Sequence, residues 1–152
     1  MRTDYHLLTE QVRQLAQTEG WYASLFANVS ALLMDTLEDL NWAGFYILIN
    51  GQLTVGPFQG KPACIHIAPG KGVCGTALEQ DEILVVPDVH AFPGHIACDS
   101  ASRSEIVLPL HRGGAAAAVL DIDSPRLSRF SEEDREGLAG IVKLLEDHVV
   151  WE

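Results

Sequence analysis

The order of elements predicts an α+β fold, in which helices pack against an antiparallel sheet. Three observations carry that reading. Apolar residues recur at helical spacing near both ends of the chain. Two glycine-bearing turns, Asn50-Gly51 and Arg112-Gly113-Gly114, each join a pair of apolar runs. Short strand-like segments fill the middle. Tight hairpins join antiparallel neighbours, whereas a doubly wound parallel sheet needs long crossovers.

Leu7, Leu8, Val12, Leu15 and Ala16 mark a first helix, and Gly20 ends it. Trp21, Leu25, Val29, Leu32, Leu33 and Leu37 mark a second, running to about Leu40. Residues 43–49 are rich in β-branched and aromatic side chains, and Asn50-Gly51 supplies the positive φ of a hairpin turn. Gly56-Pro57 interrupts the next strand and predicts an edge or a bulge. Residues 64–67 read as a short strand, 69–72 as a turn, and 73–80 as a short helix with Cys74 in its first turn. Residues 83–88 form another strand. Residues 89–104 have no periodicity and read as a loop over the sheet, with Cys98 on it. Function concentrates on such loops. In the last hairpin, residues 105–110 and 115–123, alternation sets Asp121 and Asp123 on one face and Ile122 on the other. Ser131, followed by Glu132, Glu133 and Asp134, caps a final helix buried through Leu138, Ile141, Val142 and Leu145.

No repeat or low-complexity linker divides the 152 residues, so one domain over 1–152 is expected. A 47% hydrophobic share with 20% charged residues argues for a packed core over disorder. Ten basic against 21 acidic residues give a net charge of -11, which repels phosphate backbones and anionic membranes. Neither nucleic acid nor a membrane is therefore an expected partner. The first 15 residues lack the apolar core and cleavage site of a secretory signal, and no apolar run could span a bilayer. A reducing cytoplasm is the expected setting, where cysteines are more often free, catalytic or metal-bound than structural.

Cys98, on a polar loop, can be an exposed, reactive thiol or merely a small tolerated residue. Cys64 reads as a core-facing hydrophobe at a strand start, and Cys74 by itself as structural. Three disulfide pairings are open, and no CxxC unit is present. Cys64, His66, Cys74, His90, His95 and Cys98 are all zinc-capable, but their spacing matches no paired zinc pattern, so no metal is expected. Glu105, Asp121 and Asp123 could crowd together, leaving one acid protonated near neutral pH or several free to hold an ammonium group. The residues alone favour the plainer alternative, an exposed strand end. Trp42 and Tyr46, four apart on one strand, share a face, as core or as a pocket wall.

The segments NWAGFY from Asn41, GPFQGKPACIHI, GKGVCGTA, VPDVHAFPGHIACDSASRSEIVLPL and VLDIDSP closely resemble the free methionine-(R)-sulfoxide reductases, small enzymes of the GAF fold. The likeness runs from Trp21 into the C-terminal helix. It is specific, because most GAF domains are ligand-binding sensors without this cysteine trio. It implies a six-stranded antiparallel sheet flanked by helices, usually in a homodimer. It makes Cys98 the attacking cysteine, Cys64 the main resolving cysteine, and Cys74 a third that joins disulfide exchange. Glu105, Asp121 and Asp123 match the acids that bind and polarise the substrate, and Trp42 with Tyr46 the aromatic wall around its methyl group. None of these positions departs from the family pattern. The resemblance also implies reduction of free methionine sulfoxide without a cofactor, through a sulfenic acid and a disulfide reduced by thioredoxin or a similar dithiol. A GAF sensor that binds a small ligand, a structural zinc protein, and a fold with inert cysteines are the competing readings. Sensors are usually joined to effector domains, for which this sequence has no room.

Overall fold

Two helices, α1 (Tyr5–Thr18) and α2 (Tyr22–Thr36), open the chain in the computed structural model, which describes residues 2–96 and 98–152. The strands are β1 (Trp42–Ile49), β2 (Gln52–Gly60), β3 (His66–Ile67), β4 (Leu84–Val86), β5 (Ser104–Arg112) and β6 (Ala115–Ser124). Helix α3 (Gly72–Gln80) lies between β3 and β4, and α4 (Glu132–His148) follows β6. The strands form one antiparallel sheet in the order β3-β2-β1-β6-β5-β4. Strands β1 and β6 are thus central, and most side chains on them and on β5 face one of two cores, the exposed ones lying at the hairpin ends.

Alternation sorts those side chains. Phe45, Ile106, Leu108, Leu110, Leu120 and Ile122 point to the face covered by α1, α2 and α4. There Phe26 of α2 stacks on Phe45 with ring centroids 4.0 Å apart. Trp42, Tyr46, Val107 and Val119 point to the opposite face, where Val73, Cys74, Ala77 and Leu78 of α3 join them. The cap of α4 also ties down α1. Ser131 and Asp134 form a reciprocal capping box, and the Tyr5 hydroxyl donates to Asp134 Oδ1 at 2.6 Å.

The bulge expected at Gly56-Pro57 is present. Gly44 faces Phe58 and Tyr46 faces Val55, so Gly56 and Pro57 together oppose Phe45. Other expectations need correction. Leu7 is exposed, because Leu8, Val12 and Ala16 alone complete the buried stripe of α1. Trp21 is an exposed residue preceding α2, paired through its backbone with Val150. Helix α2 stops at Thr36, with Leu37 as its C-cap. Strand β3 starts at His66, not Cys64, because the Cys64 carbonyl accepts from the Tyr46 hydroxyl at 3.1 Å and its sulfur is bonded elsewhere.

Gly44 lets the two aromatic strands close on each other. A methyl group there would run into Phe58 and the Trp42 ring, which stack with centroids 5.1 Å apart. Overpacking of this kind costs about 1–3 kcal/mol. Gly44→Ala is therefore expected to lower unfolding stability by that amount in a urea titration followed by tryptophan fluorescence. Unchanged stability would mean that Phe58 moves aside freely.

Candidate active site

The sheet register sets the acids side by side. Glu105 on β5 faces Asp123 on β6, which faces Trp42 on β1. In the next row on the same face, Val107 faces Asp121, which faces Gly44. Alternation then directs Glu105, Asp121 and Asp123 toward α3. They are only 7%, 5% and 9% exposed, so the expectation of a solvated strand end is overturned. Sequence periodicity reported that they share a side, and α3 with the loop after Phe92 supplies the cover.

Both aromatic residues belong to this face. Trp42 and Tyr46 are buried and lie 5.8 Å apart, centroid to centroid, at an interplanar angle of 28°. The Trp42 indole N–H donates to the Lys61 carbonyl at 3.1 Å, and the Tyr46 hydroxyl to that of Cys64. The wall thereby holds the segment that carries Cys64. Across the opening, Cys64 and Cys98 form a disulfide with Cα atoms 5.5 Å apart. Cys64 is half-buried in this bond rather than a core hydrophobe. Cys74 is buried and free, and its Sγ stands 3.9 Å from Glu105 Oε2.

Trp42, Tyr46, Cys74, Cys98, Glu105, Asp121 and Asp123 line one cavity of about 50 Å³ together with Lys71, His95, Asp99 and Ser102, and Cys64 adjoins it through its bond to Cys98. Its electrostatics follow from burial. Loss of water pushes Asp121 well above the usual carboxylate range, and the charges of Asp123 and Glu105 push it further. Asp123 is raised for the same reason, first by burial and then by Glu105. Burial, followed by Asp121, Glu105 and Asp123, also pushes the Cys74 thiol up. The two aspartates therefore keep their protons to higher pH than an ordinary carboxyl does. Among the described residues, Cys74, Glu105 and Asp121 also make up a group of side chains that could hold a metal ion. The zinc-capable set considered from sequence does not assemble in that form, since Cys64 and Cys98 are bonded to each other.

Residues 3–148 match the family model of the GAF domain. Free methionine-R-sulfoxide reductase of Escherichia coli (strain K12) is 48% identical over 146 residues, which is 95% of this chain and 88% of that protein. Protein YtsP of Bacillus subtilis (strain 168) is 50% identical over 145 residues, 94% of this chain and 89% of its own. The reduced form of fRMsr of Staphylococcus aureus superposes with a TM-score of 0.95 at 48% identity, covering 98% of this chain and 97% of the other. The chain belongs to the free methionine-(R)-sulfoxide reductases. This is an oxidoreductase family of the GAF fold, and the six-stranded antiparallel sheet with its four helices matches that fold.

Four residues around this candidate site were not singled out by sequence reasoning. The Asn41 side chain donates to Asp99 Oδ2 and Ser102 Oγ, both at 2.9 Å, while its backbone N–H donates to the Asp123 carbonyl at 3.0 Å. It thus fastens the loop bearing Cys98 to the edge of the acid row. Asp99 also accepts from the Ala101 N–H at 2.9 Å, which holds its carboxyl below the usual range. Lys71 precedes α3 at the cavity mouth. The available signal was a cation between Gly70 and Gly72 ahead of a helix start.

Raised carboxyl pKa values have a definite consequence for stability. Below the ordinary value of 3.8 both aspartates are protonated, folded or unfolded, and burial costs no ionisation energy. As pH rises above that value, the unfolded chain releases protons that the folded protein keeps, so stability falls. Asp121→Asn or Asp123→Asn removes that loss. Each variant is expected to be more stable than the parent at neutral pH, by a margin that shrinks as pH falls toward 3.8. Denaturant titrations across that range check it, and a pH-independent difference would contradict the assignment.

Proposed function

We propose that this chain, acting as one GAF domain over residues 1–152, reduces free L-methionine-(R)-sulfoxide to L-methionine with its own thiols. The observation that carries the reading is the Cys64–Cys98 disulfide set against a cavity lined by Glu105, Asp121 and Asp123. A sulfoxide sulfur becomes a good electrophile when its oxygen takes up a proton, so the reaction needs a thiolate and a protonated acid in one place. In the reduced enzyme the Cys98 thiolate attacks the sulfur while one of the three acids protonates the oxygen. The sulfur–oxygen bond breaks, the oxygen passes to Cys98 as a sulfenic acid, and methionine leaves. The Cys64 thiol displaces that hydroxyl as water and forms the disulfide. Thioredoxin or another dithiol then restores both thiols by exchange and is itself oxidised. Cys74 is the further thiol able to enter that exchange.

The remaining carboxylates pair with the substrate's ammonium group, and Trp42 with Tyr46 encloses its methyl. The substrate's carboxylate faces Lys71 and the positive end of α3. A methionine sulfoxide inside a peptide has neither terminal charge, which accounts for a restriction to the free amino acid. The R preference, the thioredoxin-type reductant and a homodimeric state are carried over from the family.

The test is epimer-resolved consumption of racemic free methionine sulfoxide with a thioredoxin system. Loss of the R epimer is expected, and Cys98→Ser should abolish it. Glu105→Gln or Asp123→Asn should lower turnover by roughly a hundredfold or more, in line with removal of an acid catalyst. No turnover by the fully reduced wild type would favour a ligand-binding sensor instead.

A further inference from the structure

The acid row is short of cations. Among the described residues lining the cavity, Lys71 is the one Lys or Arg, against Glu105, Asp121, Asp123 and Asp99. Asp121 is 5% exposed, and its Oδ1 has no hydrogen-bond partner. A buried carboxylate oxygen in that state is under-satisfied and open to a cation. Beside it, one ligand atom each from Cys74, Glu105 and Asp121 lie within 4.8 Å of one another, and the thiol of Cys74 takes no part in the disulfide.

We infer that Cys74, Glu105 and Asp121 form a binding site for Zn²⁺ or a similarly thiophilic divalent ion. One sulfur and two carboxylate oxygens match the borderline-soft character of zinc, whereas magnesium and calcium take oxygen alone. A tetrahedral ion with bonds of about 2.0–2.3 Å sets its ligands roughly 3.5 Å apart. The 3.9 Å between Cys74 Sγ and Glu105 Oε2 is near that, and the full span of 4.8 Å needs a modest contraction. Water from the cavity completes the coordination. Binding releases the thiol proton and any proton held on the two acids. An ion here occupies two of the three carboxylates that the proposed reaction gives to substrate, so zinc acts as an inhibitor and not as a cofactor. That consequence rests on the reductase reading; the binding itself does not.

The test uses the full chain in its disulfide form, where Cys74 is the free cysteine. Cadmium chloride is titrated in and the ultraviolet thiolate-to-metal charge-transfer band recorded, followed by zinc chloride in competition with a chromogenic chelator. One equivalent of each ion is expected, with the band present. Cys74→Ser should lose the band, and Cys74→Ser and Asp121→Asn should each weaken zinc binding by at least the ten- to hundredfold known for lesser, outer-shell changes. No band in the wild type, or zinc affinity unchanged from the wild type in both variants, would overturn the site. Because no turnover is involved, binding without reductase activity would leave the metal site standing while removing the proposed reaction.

Discussion

The desolvation of three carboxylates on one sheet face is the constraint on which the rest of the site depends. Glu105, Asp121 and Asp123 cannot separate, because the pairing of β5, β6 and β1 places them in neighbouring rows on the same side. They are also largely withdrawn from bulk water, because α3 and the Cys98 loop cover them. Full ionisation of such a cluster is costly, so it holds protons or takes up a cation. Both options suit the proposed reaction, in which a retained proton goes to the sulfoxide oxygen and the substrate's ammonium supplies the missing cation.

The two faces of the sheet divide the work. The face under α1, α2 and α4 is apolar and carries the stability, anchored by Phe26 on Phe45 and by the Asp134 cap. The face under α3 gives up some of that stability for polar groups buried beside Trp42 and Tyr46. Its cover is chemically switchable, since the Cys64–Cys98 bond clamps two loops together at the opening. In this oxidised form the cavity of about 50 Å³ admits a few water molecules.

Much of this was legible in the sequence, for identifiable reasons. Both hairpins, the bulge at Gly56-Pro57 and the α4 cap follow from local turn and capping chemistry, and all are present. The common face of Asp121 and Asp123 follows from the strand period of two. Their burial does not, because it depends on α3, which is distant in sequence and packs there through Val73, Ala77 and Leu78. The pairing of Cys64 with Cys98 is likewise a product of topology, since spacing alone left three pairings open. Asn41 and Lys71 were missed because their roles come from loops folded back on the sheet. Trp21 was misplaced because apolar periodicity does not register a helix start whose aromatic residue stays in solvent.

The most direct measurement of the central claim compares kcat/KM for free methionine-(R)-sulfoxide with that for its N-acetyl derivative, using the reduced wild-type protein. Acetylation removes the ammonium charge and leaves the sulfoxide intact. If the buried acids read that charge, the derivative loses kcat/KM by several orders of magnitude, and Asp123→Asn narrows the gap between the two substrates. Comparable turnover of both by the wild type would contradict the account, since the acid cluster would then take no part in recognising the substrate's amino group.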